Sequence, residues 1–154
     1  MSRLDGNERW NSKMLLTEHQ EQYDRHHEPA GNRPTAEEFT LVRDSVVLKN
    51  MQIMVERSLE EIGLSSHLFK KLYTAVTQQV LNRISRELYA LQREMKKRNL
   101  KMTTDEQADN VLYYRFICRG YEDRFGIMRE ALRAEISVRL GAMVTELLSE
   151  LKQK

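Results

Sequence analysis

Between Ser66 and Arg98 the chain runs for 33 residues without a glycine or a proline. Along it Phe69, Leu72, Tyr73, Val76, Val80, Ile84, Leu88, Leu91 and Met95 recur at steps of three and four. That spacing places them on one helical face and predicts a single helix over 66–98. Thirty residues of helix are about 45 Å long. An apolar stripe of that length stays out of water only if an element of comparable length lies against it. The preceding segment supplies one. Thr35 followed by Glu38 is a capping-box signature, and Phe39, Val42, Val46, Ile53 and Met54 then recur at helical spacing. Gly63 can take the left-handed residue that ends a helix, so a helix is expected over 36–62, with Ser65 or Ser66 capping the next.

The C-terminal third is read the same way. Thr104 precedes Asp105 and Glu106, acidic groups that suit the first turn of a helix. Ala108, Val111, Leu112 and Phe116 would form one face, and Tyr113, Ile117 and Tyr121 a second. A strand through Val111–Cys118 is the rival, since this is the chain's only run rich in β-branched and aromatic residues. Helix is preferred because a lone strand has nothing to pair with. Gly120 and Gly126 bracket an expected break. Beyond it Met128, Leu132, Ile136, Leu140, Met143, Leu147 and Leu151 form a last stripe. The expected fold is therefore all-α: an antiparallel bundle of long helices (36–62, 66–98 and 104–152, broken near 120–126) forming a domain over 35–154. Residues 1–34 are expected to be an N-terminal arm, docking through Trp10, Met14 and Leu15, followed by a linker that holds both prolines, Pro29 and Pro34.

Composition narrows the classes. A chain of 154 residues fits one domain. The lone cysteine, Cys118, excludes an internal disulfide and points to a reducing, cytoplasmic setting. No apolar run approaches the roughly 18 residues of a spanning helix, and the N-terminus has no signal-peptide core. No membrane role is expected. The net charge of +2 hides an uneven distribution. Residues 66–102 carry nine basic groups against two acidic, net +7, while residues 35–65 carry three against six. Arg86, Arg93 and Lys97 fall on one side of the long helix at 100° per residue. That face is read as solvated or paired with Glu56, Glu60 and Glu61, or else as meeting an acidic protein or nucleic-acid phosphate. Exposed aromatics interleaved with these bases, which would favour base stacking, are not expected.

Signatures of catalysis are missing. None of the four histidines has Glu three residues before it, as helical carboxylate-bridged metal sites require. His19 and His26 would share a helical face, but two ligands fall short of a zinc site. Cys118 has no histidine after His67 to act as its base, so it is read as an inert core residue. There is no Gly-rich phosphate loop. No catalytic residue, metal or cofactor is expected. Leu59–Leu72 resembles a helix-turn-helix, but Leu59 is too large for close helix approach there and the next helix is too long for a recognition helix. Tyr113, Tyr114, Arg119, Tyr121 and Arg124 belong to the densest mixture of tyrosine and arginine in the chain, the composition of interface anchors, and are taken as partner-binding residues.

One short stretch, Trp10-Asn11-Ser12-Lys13-Met14-Leu15-Leu16-Thr17-Glu18-His19, resembles the N-terminal Trp…Met-Leu…Glu-His stretch of YolD-like bacterial proteins. It covers ten residues, implies a bacterial cytoplasmic protein, and carries no function with it. The expectation for the whole chain is a noncatalytic regulatory or adaptor protein, acting through protein contacts as a homodimer. The alternative is a nucleic-acid-binding regulator using the cationic helix.

Overall fold

The computed structural model describes residues 33–153, the side chains of Thr104 and Asp105 excepted. Two long helices come first, α1 (Ala36–Leu64) and α2 (Lys70–Lys97). Three strands follow, β1 (Leu100–Ala108), β2 (Val111–Cys118) and β3 (Tyr121–Met128), and then helix α3 (Arg129–Lys152). The sheet is an antiparallel meander in the order β1-β2-β3. The all-α bundle is thereby corrected to an α+β fold. The two long helices stand where the periodicity placed them, but residues 100–128 are sheet, so the helix expected from 104 to the break is replaced by strands and only the last helix, from Arg129, remains.

The correction has a physical reason. Val111–Cys118 is not a lone strand, because two-residue connections return the chain on both sides of it: Ala108 pairs with Val111 around Asp109-Asn110, and Cys118 with Tyr121 around Arg119-Gly120. Asp109, Arg119 and Gly120 have φ of +52°, +49° and +86°, the left-handed backbone that tight hairpin turns demand. The apolar residues divided between two sides of a helix are redistributed by the strand's two-residue period, which separates Val111 from Leu112 and Phe116. Even-numbered residues of β2 (Leu112, Tyr114, Phe116, Cys118) pair with Leu100, Met102, Phe125 and Ile127 and turn toward the helices. Tyr113 and Arg115 face away, while Ile117 and its partner Lys101 sit at the end of the sheet that borders α2.

Helix α1 begins as the sequence predicts, with Glu38 N–H donating to Thr35 Oγ1 at 3.2 Å and Thr35 N–H donating to Glu38 Oε1 at 3.0 Å. Its end differs. Gly63 lies inside the helix, and Ser65 closes it in extended backbone, hydroxyl and N–H both donating to Ile62 O. Neither serine caps α2. Its N-cap is Phe69, whose N–H donates to His67 Nδ1.

The helices pack antiparallel along their lengths, as a hairpin rather than a crossed helix-turn-helix. Val47, Leu48, Met51 and Val55 of α1 meet Val80, Ile84 and Leu88 of α2, together with Leu132, Ile136 and Met143 of α3 and Ile127 of β3. A second cluster joins Val42, Met95, Leu100, Phe116 and Cys118. Because α1 touches α2, α3 and the sheet, consecutive residues Ser45 to Leu48 are all buried, whereas Ile53 and Met54 of its expected stripe are 47% and 45% exposed. Polar links add to the α1–α3 contact. Glu135 accepts from Arg43 and from Arg139, whose guanidinium also reaches Asp44. No described helix is long and apolar enough to cross a membrane. The arm and its linker lie outside the described residues up to position 32, as do Trp10, the YolD-like stretch and the His19/His26 pair.

Candidate functional site

The β2–β3 turn is locked onto the start of α1. Arg119 extends its guanidinium to Glu38, with Nη1 donating to Oε2 at 2.7 Å and Nη2 to Oε1 at 2.9 Å. Nη1 also donates to the Arg98 carbonyl, at 3.2 Å. Glu38 is only 2% exposed. The Arg119 hydrogen bonds, reinforced by the Thr35 N–H, outweigh its burial and hold its carboxyl at a pKa of about 2. Cys118 is fully buried beside the pair, its Sγ 3.9 Å from Glu38 Oε2. Burial, then the adjoining carboxylate, pushes the thiol pKa up against the opposing effect of Arg119. This is a poor environment for a thiolate nucleophile.

Beside this lock opens a cleft of about 860 Å³ between α1, the C-terminal half of α2 and the sheet. Its apolar lining comes from Leu88, Met95, Leu100, Met102 and Ile117, and its polar lining includes Ser45, Gln92 and Asn99. Three lysines reach it from three elements: Lys49 of α1, Lys96 of α2 and Lys101 of β1. Among the described residues no carboxylate lines the cleft.

Around α2 from the cleft lies the cationic ridge expected from the sequence. Arg86, Arg93 and Lys97 are exposed and point away from the buried line of Val80, Ile84, Leu88 and Met95. The acidic residues of α2 are engaged elsewhere, Glu87 with Arg83 and Glu94 with Arg98. Glu56, Glu60 and Glu61 form no ion pair with the ridge. One expectation is overturned: Tyr89 stands 64% exposed in the middle of the ridge, with the Arg93 guanidinium 5.8 Å from its ring centre. At 100° per residue Tyr89 falls on the outward side of the helix, away from Leu88 beside it in the chain.

The five tyrosine and arginine positions do not form one patch. Tyr113 and Arg124 share the outer sheet face, the guanidinium 4.5 Å from the ring centre. Gly126 gives that ring its room, since a Cβ there would lie 2.9 Å from Tyr113 Cε1. Arg115 sits between Glu106 and Glu122 on the same face. Tyr114 points inward, its hydroxyl accepting from Asn50 at 3.5 Å. Tyr121 lies at the start of β3 opposite Cys118, and Arg119 is held by Glu38.

At the far end of the hairpin the surface is apolar. Leu64 and Leu68 are 91% and 89% exposed, and Phe69, Leu72 and Tyr73 are exposed beside them. His67 packs on Tyr73 with ring centres 5.1 Å apart. A groove of about 400 Å³ continues this surface between α2 and α3, lined by Leu72, Val76, Val144, Leu147, Leu148 and Leu151. No described residues form a group of three or more His, Cys, Asp or Glu able to hold a metal ion.

Residues 33–148 match the family model described as YhjD protein, and the chain belongs to that family. The match begins beyond the YolD-like stretch. No curated protein and no solved structure matches the chain.

Proposed function

We propose that this member of the YhjD family is a noncatalytic regulatory or adaptor protein of the bacterial cytoplasm, working as a homodimer through protein contacts. The observation that carries the reading is the apolar end of the hairpin. Single exposed leucines need no explanation, but a continuous run from Leu64 to Tyr73 joined to Leu148 and Leu151 does. Both charge signs flank it, Lys70 and Lys71 at the start of α2, Glu60 and Glu61 near the end of α1. A two-fold-related copy would set each sign against the other while covering the leucines. Light scattering over a concentration series tests this. A dimer is expected, and Leu72→Glu with Leu148→Glu should give a folded monomer. A wild-type chain that stays monomeric at every concentration overturns it.

A second reading rests on a different observation. The ridge of Arg86, Tyr89, Arg93 and Lys97 combines cations that form no ion pair among the described residues with an exposed ring, the pairing that single-stranded nucleic acid uses. Retention on single-stranded DNA or RNA at low salt would support it, and none at low salt removes it.

A further inference from the structure

We propose that the cleft between α1, α2 and the sheet binds a small amphiphilic anion, a carboxylate or phosphate group carried on an apolar body. This is independent of the partner surface at the other end of the hairpin. Two features of the cleft set the ligand's two halves. Lys49, Lys96 and Lys101 line it, and none has a carboxylate partner among the described residues. Arg119 at the rim is neutralised by Glu38, so the three lysines set the sign of the field. Like charges brought together around one concavity repel, and an anion placed among them removes that repulsion. The lining includes the apolar residues Leu88, Met95, Leu100, Met102 and Ile117, and this surface has nothing to offer a bare inorganic ion. A concave apolar lining with a few convergent polar groups, at about 860 Å³, is the form and size of a small-molecule site. Met95 and Met102 add side chains that adjust to irregular apolar bodies. The Ser45 hydroxyl and the Gln92 and Asn99 amides supply neutral hydrogen bonds for the head group.

The three lysines come from elements held in register by the Glu38–Arg119 lock and the second core cluster. The site is therefore built before the ligand arrives, which lowers the ordering cost of binding.

Calorimetric titration of the full chain with four probes tests the proposal. Decanoate and decyl phosphate are expected to bind once per chain. Decyltrimethylammonium, with the same body and the opposite charge, and inorganic phosphate, a head without a body, should each bind at least tenfold more weakly. The ratio of decanoate to decyl phosphate affinity says which head group the site prefers. Lys49→Glu with Lys101→Glu should weaken both amphiphiles at least tenfold. Arg86→Glu with Arg93→Glu, the same charge change on the ridge, should leave them within twofold, as should Leu72→Glu with Leu148→Glu at the apolar end. If the first pair of substitutions prevents folding, Lys49→Gln with Lys101→Gln serves, with a loss of at least threefold expected. The proposal is overturned if the cationic amphiphile binds as well as the anionic ones. It is equally overturned if inorganic phosphate matches decyl phosphate, if the lysine variants bind unchanged, or if no probe binds.

Discussion

At the scale of single residues, Glu38 carries two roles that a sequence reading separates. The capping box is local and legible: Thr35 and Glu38 are three apart, and the first turn of α1 needs acceptors for its free N–H groups. The same carboxylate also neutralises Arg119, 81 positions on, and nothing local announces that. Its folded pKa of about 2 lies below the ordinary 4.5. The stabilisation is therefore complete above about pH 4.5 and is lost as pH falls toward 2, amounting to about 3 kcal/mol. Glu38→Gln is expected to cost that much at pH 7 in urea unfolding and to flatten the acid limb of stability between pH 4.5 and 2. A variant whose stability still falls steeply across that window would place the acid sensitivity elsewhere. Gly120 is a backbone requirement of a different kind. At φ +86° with open space around it, Gly120→Ala meets no neighbour but pays for left-handed backbone, about 1–2 kcal/mol. Thermal unfolding reads that as a lower midpoint with unchanged secondary structure.

At the scale of elements, the legible parts were those whose neighbours are local. Helix α2 touches its partners on one side, and Val80, Ile84, Leu88 and Met95 are buried as the spacing required, while Phe69, Leu72 and Tyr73 at the start of the stripe are exposed. Helix α1 packs on three elements, and its burial follows them rather than the wheel. Ile84→Ala should cost about 2–4 kcal/mol by cavity formation. Ile53→Ala, at an exposed position of the sequence stripe, should cost under about 1 kcal/mol. Equal costs in chemical denaturation would contradict the packing described for the hairpin. The sheet was missed because β1 is largely polar, running Leu-Lys-Met-Thr-Thr-Asp-Glu-Gln-Ala, and so gave no sign of the partner that β2 needs. The signal that could have found it is the pair of two-residue turns, Asp109-Asn110 and Arg119-Gly120, set ten residues apart with a run of β-branched and aromatic residues between them.

At the scale of the molecule, charge and apolar surface are segregated. The cationic cleft and ridge belong to α2 and its neighbours, and the exposed leucines gather at the hairpin tip and the end of α3. The ridge makes a quantitative prediction for the nucleic-acid reading. Three phosphates neutralised by Arg86, Arg93 and Lys97 would give a log–log salt slope of about −2 on single strands. Charge reversal at those positions should flatten it for all sequences alike, while Tyr89→Ala weakens binding without changing the slope. Fluorescence anisotropy across a salt series measures both. Dimer formation through the apolar end should instead be insensitive to these substitutions, so the two surfaces can be tested separately.

The sequence by itself determined the two long helices, the capped start of the first, the cationic side of the second and the last amphipathic helix. Each depends on spacings of three or four residues, where the chain is its own neighbour. Only the tertiary structure decided the sheet, the Glu38–Arg119 lock, the exposure of Tyr89 and the meeting of Lys49, Lys96 and Lys101 around one cleft. Strand pairing and ion pairing join residues by proximity in space. A single sequence records which residue types are present for such contacts, but the packing of α1 against everything else determines which of them meet.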